Sequence, residues 1–166
     1  MKRFFIVLLV TAVGITGISA QSVDSISKAS TGIYYGKTSI AGEDLWKALE
    51  TYECAISVAT VNADGTPNAA VAIPGVTADR AYLFFGLAPN QTGINIRERK
   101  FAVVTAYSYT SPSKAVDKKM LSIGARIILE YVSDPVTIAR LIEENKDKKA
   151  SASTIFMKIV KVLPIG

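Results

Sequence analysis

The chain has 166 residues, 49% of them hydrophobic, which suits one domain with an ordinary core and no need of disulfide or metal staples. A single cysteine, Cys54, excludes an internal disulfide and any multi-cysteine metal site, and the lack of histidine excludes Ser–His–Asp and Cys–His catalysis and histidine metal ligation. The formal net charge is +5 and falls to +3 without Lys2 and Arg3; that excess is too mild and scattered for a nucleic-acid face.

Residues 1–20 follow the plan of a secretory signal. Lys2 and Arg3 precede an apolar run from Phe4 to Ile18, and small residues Ser19 and Ala20 follow. The run is short for a membrane span and is broken by Gly14 and Gly17. Cleavage after Ala20 is expected, with cleavage after Ser19 or an uncleaved anchor as the alternatives. On any of these the domain lies outside the cytoplasm, periplasmic or secreted.

Residues 21–40, rich in Ser, Thr and Gly, read as a flexible lead with a short strand near Ile33 to Tyr35. The domain itself is expected over 41–166. A helix starts near Glu43, with Gly42 as a weak cap; Leu45, Leu49 and Tyr52, with Trp46, form its apolar stripe. The period then changes to two: from Ala55 to Val61, Ile56, Val58 and Thr60 alternate with small residues. Asn62-Ala63-Asp64-Gly65 is a hairpin turn, and Pro67 opens a strand over 68–73 that Pro74-Gly75 ends or kinks. Further strands are expected over 81–86, 101–109, 121–132 and 154–163, with Gly124 as a bulge or kink. Asn90 caps a short helix ending at Arg99. Asp134-Pro135 starts another that reaches about Lys146. Residues 110–119 are polar and read as a loop.

Six strands with short helices between them point to a mainly β fold, an antiparallel barrel or sandwich. Some single residues allow two readings. Cys54, at the start of a strand, reads as a small buried hydrophobe. Tyr34-Tyr35 and Tyr107-x-Tyr109 suit edge-strand packing as well as ring stacking. Arg126 sits in an apolar strand, either on an exposed face or as a ligand or interface contact.

The order helix, AISVATVNADGTPNAAVAI, AYLFFG, NQTGINIRERK, FAVVTAY and later GARIILEYVSD resembles the pyridoxamine 5'-phosphate oxidase-like superfamily of FMN-binding split barrels, closest in pattern to its small FMN-binding proteins. The resemblance covers residues 43–164. It implies a six-stranded antiparallel split barrel of Greek-key type that forms a homodimer, with FMN at the subunit contact and a role in redox or electron transfer. The dimer would cover apolar faces such as Phe84-Phe85 and Val103-Val104. Asn68 matches a cofactor-facing position, and Ala70 lies on a strand of small residues that lets a flat ring approach. Alanines that merely thin a packed wall are the alternative for that strand. Asn90, Gln91 and Thr92 occupy the turn that holds the flavin phosphate, although an ordinary capped helix start uses the same residue types.

This chain departs from the pattern at the cations. The oxidases carry Arg and Lys where Ala70 and Gly75 stand, and Ser-Arg-Lys where Asn90, Gln91 and Thr92 stand; the small FMN-binding proteins carry Lys at Gln91. Arg97, Arg99, Arg126 or a lysine of the 110–119 loop are the available substitutes. The oxidases' terminal Arg and His have no counterpart, which argues against pyridoxine-phosphate oxidation. A non-enzymatic barrel that has lost FMN and binds haem, a deazaflavin or a vitamin phosphate is the alternative reading.

Overall fold

The computed structural model describes residues 39–51, 54–109 and 122–165. The expected signal segment, most of the lead, Tyr34-Tyr35, Tyr52 and the 110–119 loop lie outside them. In chain order the elements are α1 (Gly42–Glu50), β1 (Ala55–Val61), β2 (Pro67–Val71), β3 (Gly75–Val76), β4 (Tyr82–Phe85), α2 (Gln91–Arg99), β5 (Phe101–Tyr109), β6 (Ser122–Tyr131), α3 (Pro135–Glu144) and β7 (Ile155–Pro164). Ser39 and Ile40 are bound to the sheet: Ile40 N donates to Gly124 O at 2.9 Å, and Ile165 N donates to Ser39 Oγ at 3.0 Å.

The strands form one sheet in the order β2-β1-β5-β6-β7-β4-β3, with antiparallel neighbours throughout. Its two edge strands, β2 and β3, are joined by residues 72–74 alone. Four residue steps reach at most about 14 Å, whereas six spacings of a flat sheet cover about 29 Å. The sheet is therefore curled until its edges approach, as in a split barrel. The expected six strands become seven because Pro74, which is buried, has no N–H for the ladder. One bent stretch of chain serves β1 on one side of the bend and β4 on the other.

The inner face follows the alternation read from the sequence. Ile56, Val58 and Thr60 point in, and Ala55, Ser57, Ala59 and Val61 point out. Leu45 and Leu49 of α1 close the core over Val58, Leu83, Phe85, Val104, Ile127, Leu129 and Met157. A second cluster lies outside the sheet, where α3 sets Leu141 on Phe84 and Phe156, whose ring centroids are 5.6 Å apart. Phe84 and Phe85 are thus both buried within one chain, one under α3 and one in the barrel, and need no partner subunit. Val104 is likewise buried in the core, while Val103 is half-buried on the outer face.

Gly124 is not a bulge. The register shift between β6 and β7 falls at Ile128/Leu129, opposite Val160. At Gly124 a Cβ would stand 2.4 Å from the Ala106 carbonyl oxygen, so the residue is small because two backbones meet there. Asp134 caps α3 as expected, accepting from Thr137 N at 2.8 Å, but the helix stops at Glu144 and turns carry 145–149.

Candidate functional site

The hairpin between β1 and β2 brings Asn68 opposite Thr60 on the inner face of the sheet. The start of α2 packs over the same spot, 24 residues further along, and Asn68 Nδ2 donates to Thr92 Oγ1 at 2.9 Å. The same nitrogen donates to Thr60 Oγ1 at 3.0 Å. Thr60 also accepts from Asn95 Nδ2 at 3.0 Å, and that nitrogen donates to Asn62 Oδ1 at 2.8 Å. Gln91 Nε2 donates to Asn95 Oδ1 at 2.8 Å. The six side chains tie α2 to the hairpin. No buried side-chain nitrogen or oxygen among the described residues is left without a partner, so the network is fully satisfied.

Five of the residues singled out from the sequence therefore meet here. Asn68 and Ala70 lie half-buried on the inner face of β2, followed by the half-buried Ala72. Gln91 and Thr92 belong to the first turn of α2, and Asn90 caps it by accepting from Gly93 N at 2.9 Å. Arg126 is not brought to this place. It pairs with Thr105 on the outer face and donates from Nε to Pro164 O at 3.0 Å. Cys54 is half-buried, with its thiol 3.6 Å from Ala48 O. Thr60, Asn62 and Asn95 complete the network without any mark in the sequence as site residues. Their signal there is faint: a polar residue at an inward strand position, and an Asn three places after Thr92.

The face of β2 fits a flat apolar ring, because alanines let it come close to the backbone. The described side chains at the α2 turn offer a phosphate dianion little. Thr92 is 3% exposed and its hydroxyl faces Asn68. Gly93 N–H is taken by the cap. A hollow of about 350 Å³ beside Gln91 is lined by Asn62, Ala63 and Asp64. Hydrogen bonds from the Thr66 hydroxyl and N–H hold Asp64 below the ordinary carboxylate range, so this hollow carries a negative charge. Gly75 has no room for the missing lysine, since a Cβ there would stand 2.1 Å from the Phe84 ring.

A larger cleft, about 640 Å³, opens at the β2–β3 bend between Pro74, Gly75, Gly86, Lys148 and Lys149, with Glu50 and Asp147 also on its wall. Lys148 Nζ donates to Val76 O at 2.7 Å. A cation thus stands beside Gly75, supplied by the segment after α3 and not by the strand.

The topology defines a split barrel. A single-residue variant of HupZ from Group A Streptococcus aligns over 76% of this chain and 100% of its own, at 12% identity and TM-score 0.54. A 5-nitroimidazole antibiotic resistance candidate from Bacteroides thetaiotaomicron aligns over 75% and 84%, at 11% identity and TM-score 0.51. An FMN-binding protein from Syntrophomonas wolfei aligns over 86% and 96%, at 16% identity and TM-score 0.49. At these identities the likeness is one of fold. No protein-family model and no curated protein matches the sequence.

Proposed function

We propose that this chain is an exported flavin-binding split barrel that works as a homodimer in redox or electron-transfer chemistry. The observation that carries the reading is the Asn68–Thr92 hydrogen bond. It joins the small-residue face of β2, which a flat ring can approach, to the first turn of α2, where the resemblance puts the flavin phosphate. The flavin supplies the redox chemistry when bound. The residues of this chain orient it: Asn68 is pinned by two hydroxyls, and Ala70 and Ala72 keep the slot shallow and apolar.

The homodimer draws support from the outer face of β1, β2 and β5. Val61, Val71, Phe101 and Tyr107 are exposed there, Val61 near Phe101 at one end of the strands and Val71 and Tyr107 toward the other, and Val71 is 83% exposed. Exposed apolar side chains on one sheet face suit a subunit contact. Export draws support from the pattern of residues 1–20.

The test is the absorbance of the domain purified from cells, before and after flavin is added. Visible flavin bands, or a rise in melting temperature on titration, are expected. A colourless protein whose melting temperature ignores flavin overturns the reading. The absent cation at Gln91 favours the second reading, a barrel that binds a different ligand without turnover. Haem, a deazaflavin and a vitamin phosphate are then the ligands to titrate.

A further inference from the structure

The two edges of the sheet are finished differently. β3 is two residues long, and Lys148 Nζ closes its open side by donating to Val76 O at 2.7 Å. β2 is five residues long and pairs with β1 in unbroken register. No residue from 66 to 78 carries a charge. Sheet edges are commonly blunted by shortness, lysines, prolines or bulges. Between Pro67 and Pro74 nothing of the kind blunts β2.

The hairpin register shows which backbone groups face outward. Asn62 N donates to Thr66 O at 2.9 Å, which makes these two a hydrogen-bonded pair. Thr60 with Asn68 and Val58 with Ala70 follow as hydrogen-bonded pairs, since such pairs alternate along an antiparallel ladder. The backbone groups of Pro67, Ala69 and Val71 therefore turn away from β1. Pro67, with no N–H to lose, falls at one of these outward positions. Ala69 and Val71 are exposed, Val71 at 83%. Among the described residues no loop or cap bonds to their backbone.

Resting on the homodimer reading above, we propose that β2 pairs edge to edge with β2 of a second copy, antiparallel, about a twofold axis at Ala70. Ala69 then stands opposite the partner's Val71, and Val71 opposite the partner's Ala69. Both pairs exchange reciprocal N–H···O bonds, because all four residues turn their backbone outward. The strand suits its own copy: no like charges oppose each other, and the facing side chains are Ala and Val. The ladder ends at Pro67, which has nothing to donate. The pairing consumes the open edge of each chain and leaves only the blunted β3 edges, so the assembly closes at two copies. It also sets the inward row Asn68, Ala70 and Ala72 beside the same row of the second copy, so both chains wall the slot.

The experiment follows sedimentation over a range of concentrations, with amide hydrogen exchange on the same samples. Ala69→Pro removes an outward N–H and leaves the β1–β2 bonds intact. It should weaken the dimer by about tenfold or more, since both copies lose the bond. Ala69→Ser keeps the N–H and should leave the dimer constant within about twofold. The Ala69 and Val71 amides should exchange slowly in the wild-type dimer and fast once it is diluted to monomer. That reading stands on the wild type alone, whatever Ala69→Pro does to folding. A wild-type dimer whose Ala69 and Val71 amides exchange fast overturns the edge pairing alone, as does one that a folded Ala69→Pro variant leaves intact. Slow exchange that persists in the monomer overturns it too, because the edge is then covered within one chain. A wild type that is monomeric at every concentration overturns the homodimer reading itself.

Discussion

The outer face of the sheet has two halves with opposite fates. Over β4 and β7, α3 lays Leu141 and Ile138 on Phe84 and Phe156, and the chain buries its own aromatic surface. Over β1, β2 and β5 no described element covers Val61, Val71, Phe101 and Tyr107. Both halves are apolar, so hydrophobicity alone does not tell them apart. The difference lies in chain connectivity: Asp134 and Pro135 start a helix directly after β6, at the one place from which it can fold back over β7 and β4. The covered half then serves stability, and the bare half is left for assembly.

The contrast can be broken most severely from the covered side. Phe156→Ala removes a fully buried ring and should cost about 3–5 kcal/mol in chemical denaturation. A loss under about 1 kcal/mol, well below the range for a buried ring, would mean that α3 does not seal this half. Gly75→Ala drives a methyl into the Phe84 ring and should cost about 1–3 kcal/mol by overpacking.

The bare side should behave in the opposite way. Val71→Lys with Phe101→Lys should turn a dimer into a monomer in analytical ultracentrifugation. The far-ultraviolet circular dichroism should stay unchanged, since exposed positions matter little to the fold of one chain. A dimer that survives both lysines has its contact elsewhere.

The smallest effect concerns the cap that launches α3. Hydrogen bonds from the Thr137 hydroxyl and N–H hold Asp134 below its ordinary value of 3.8. The unfolded chain therefore takes up this proton first. The cap's stabilisation is complete above that value and is lost as pH falls through the lowered one. Asp134→Ala should lower the melting temperature slightly at neutral pH and leave it unchanged in strong acid, below the lowered value. An equal loss at both pH values would show that the carboxylate is not the capping group.

Much of this is legible along the chain. The alternation in 55–61 identifies the inward residues, Asn90 and Asp134 announce both capped helices, and Asp64-Gly65 marks the hairpin. Asn68 and Thr92 can be paired only through the resemblance, because no local pattern links residues 24 apart. Asn95 is marked only by the resemblance, through its place three residues after Thr92, since an Asn within a helical stripe has no signature of its own. Gly124 reads wrongly as a bulge because a close backbone approach and a bulge call for the same residue.

Periodicity, caps and turns were thus determined by the sequence itself, since each depends on contacts within a few residues. Three things waited for the tertiary structure. Pro74 splits one strand between two sheet edges, α3 and not a partner covers Phe84, and the hydroxyl of Thr92 turns inward to Asn68. Each depends on which distant segments the curled sheet brings into contact. That is decided when the barrel forms and leaves no periodic trace in the chain.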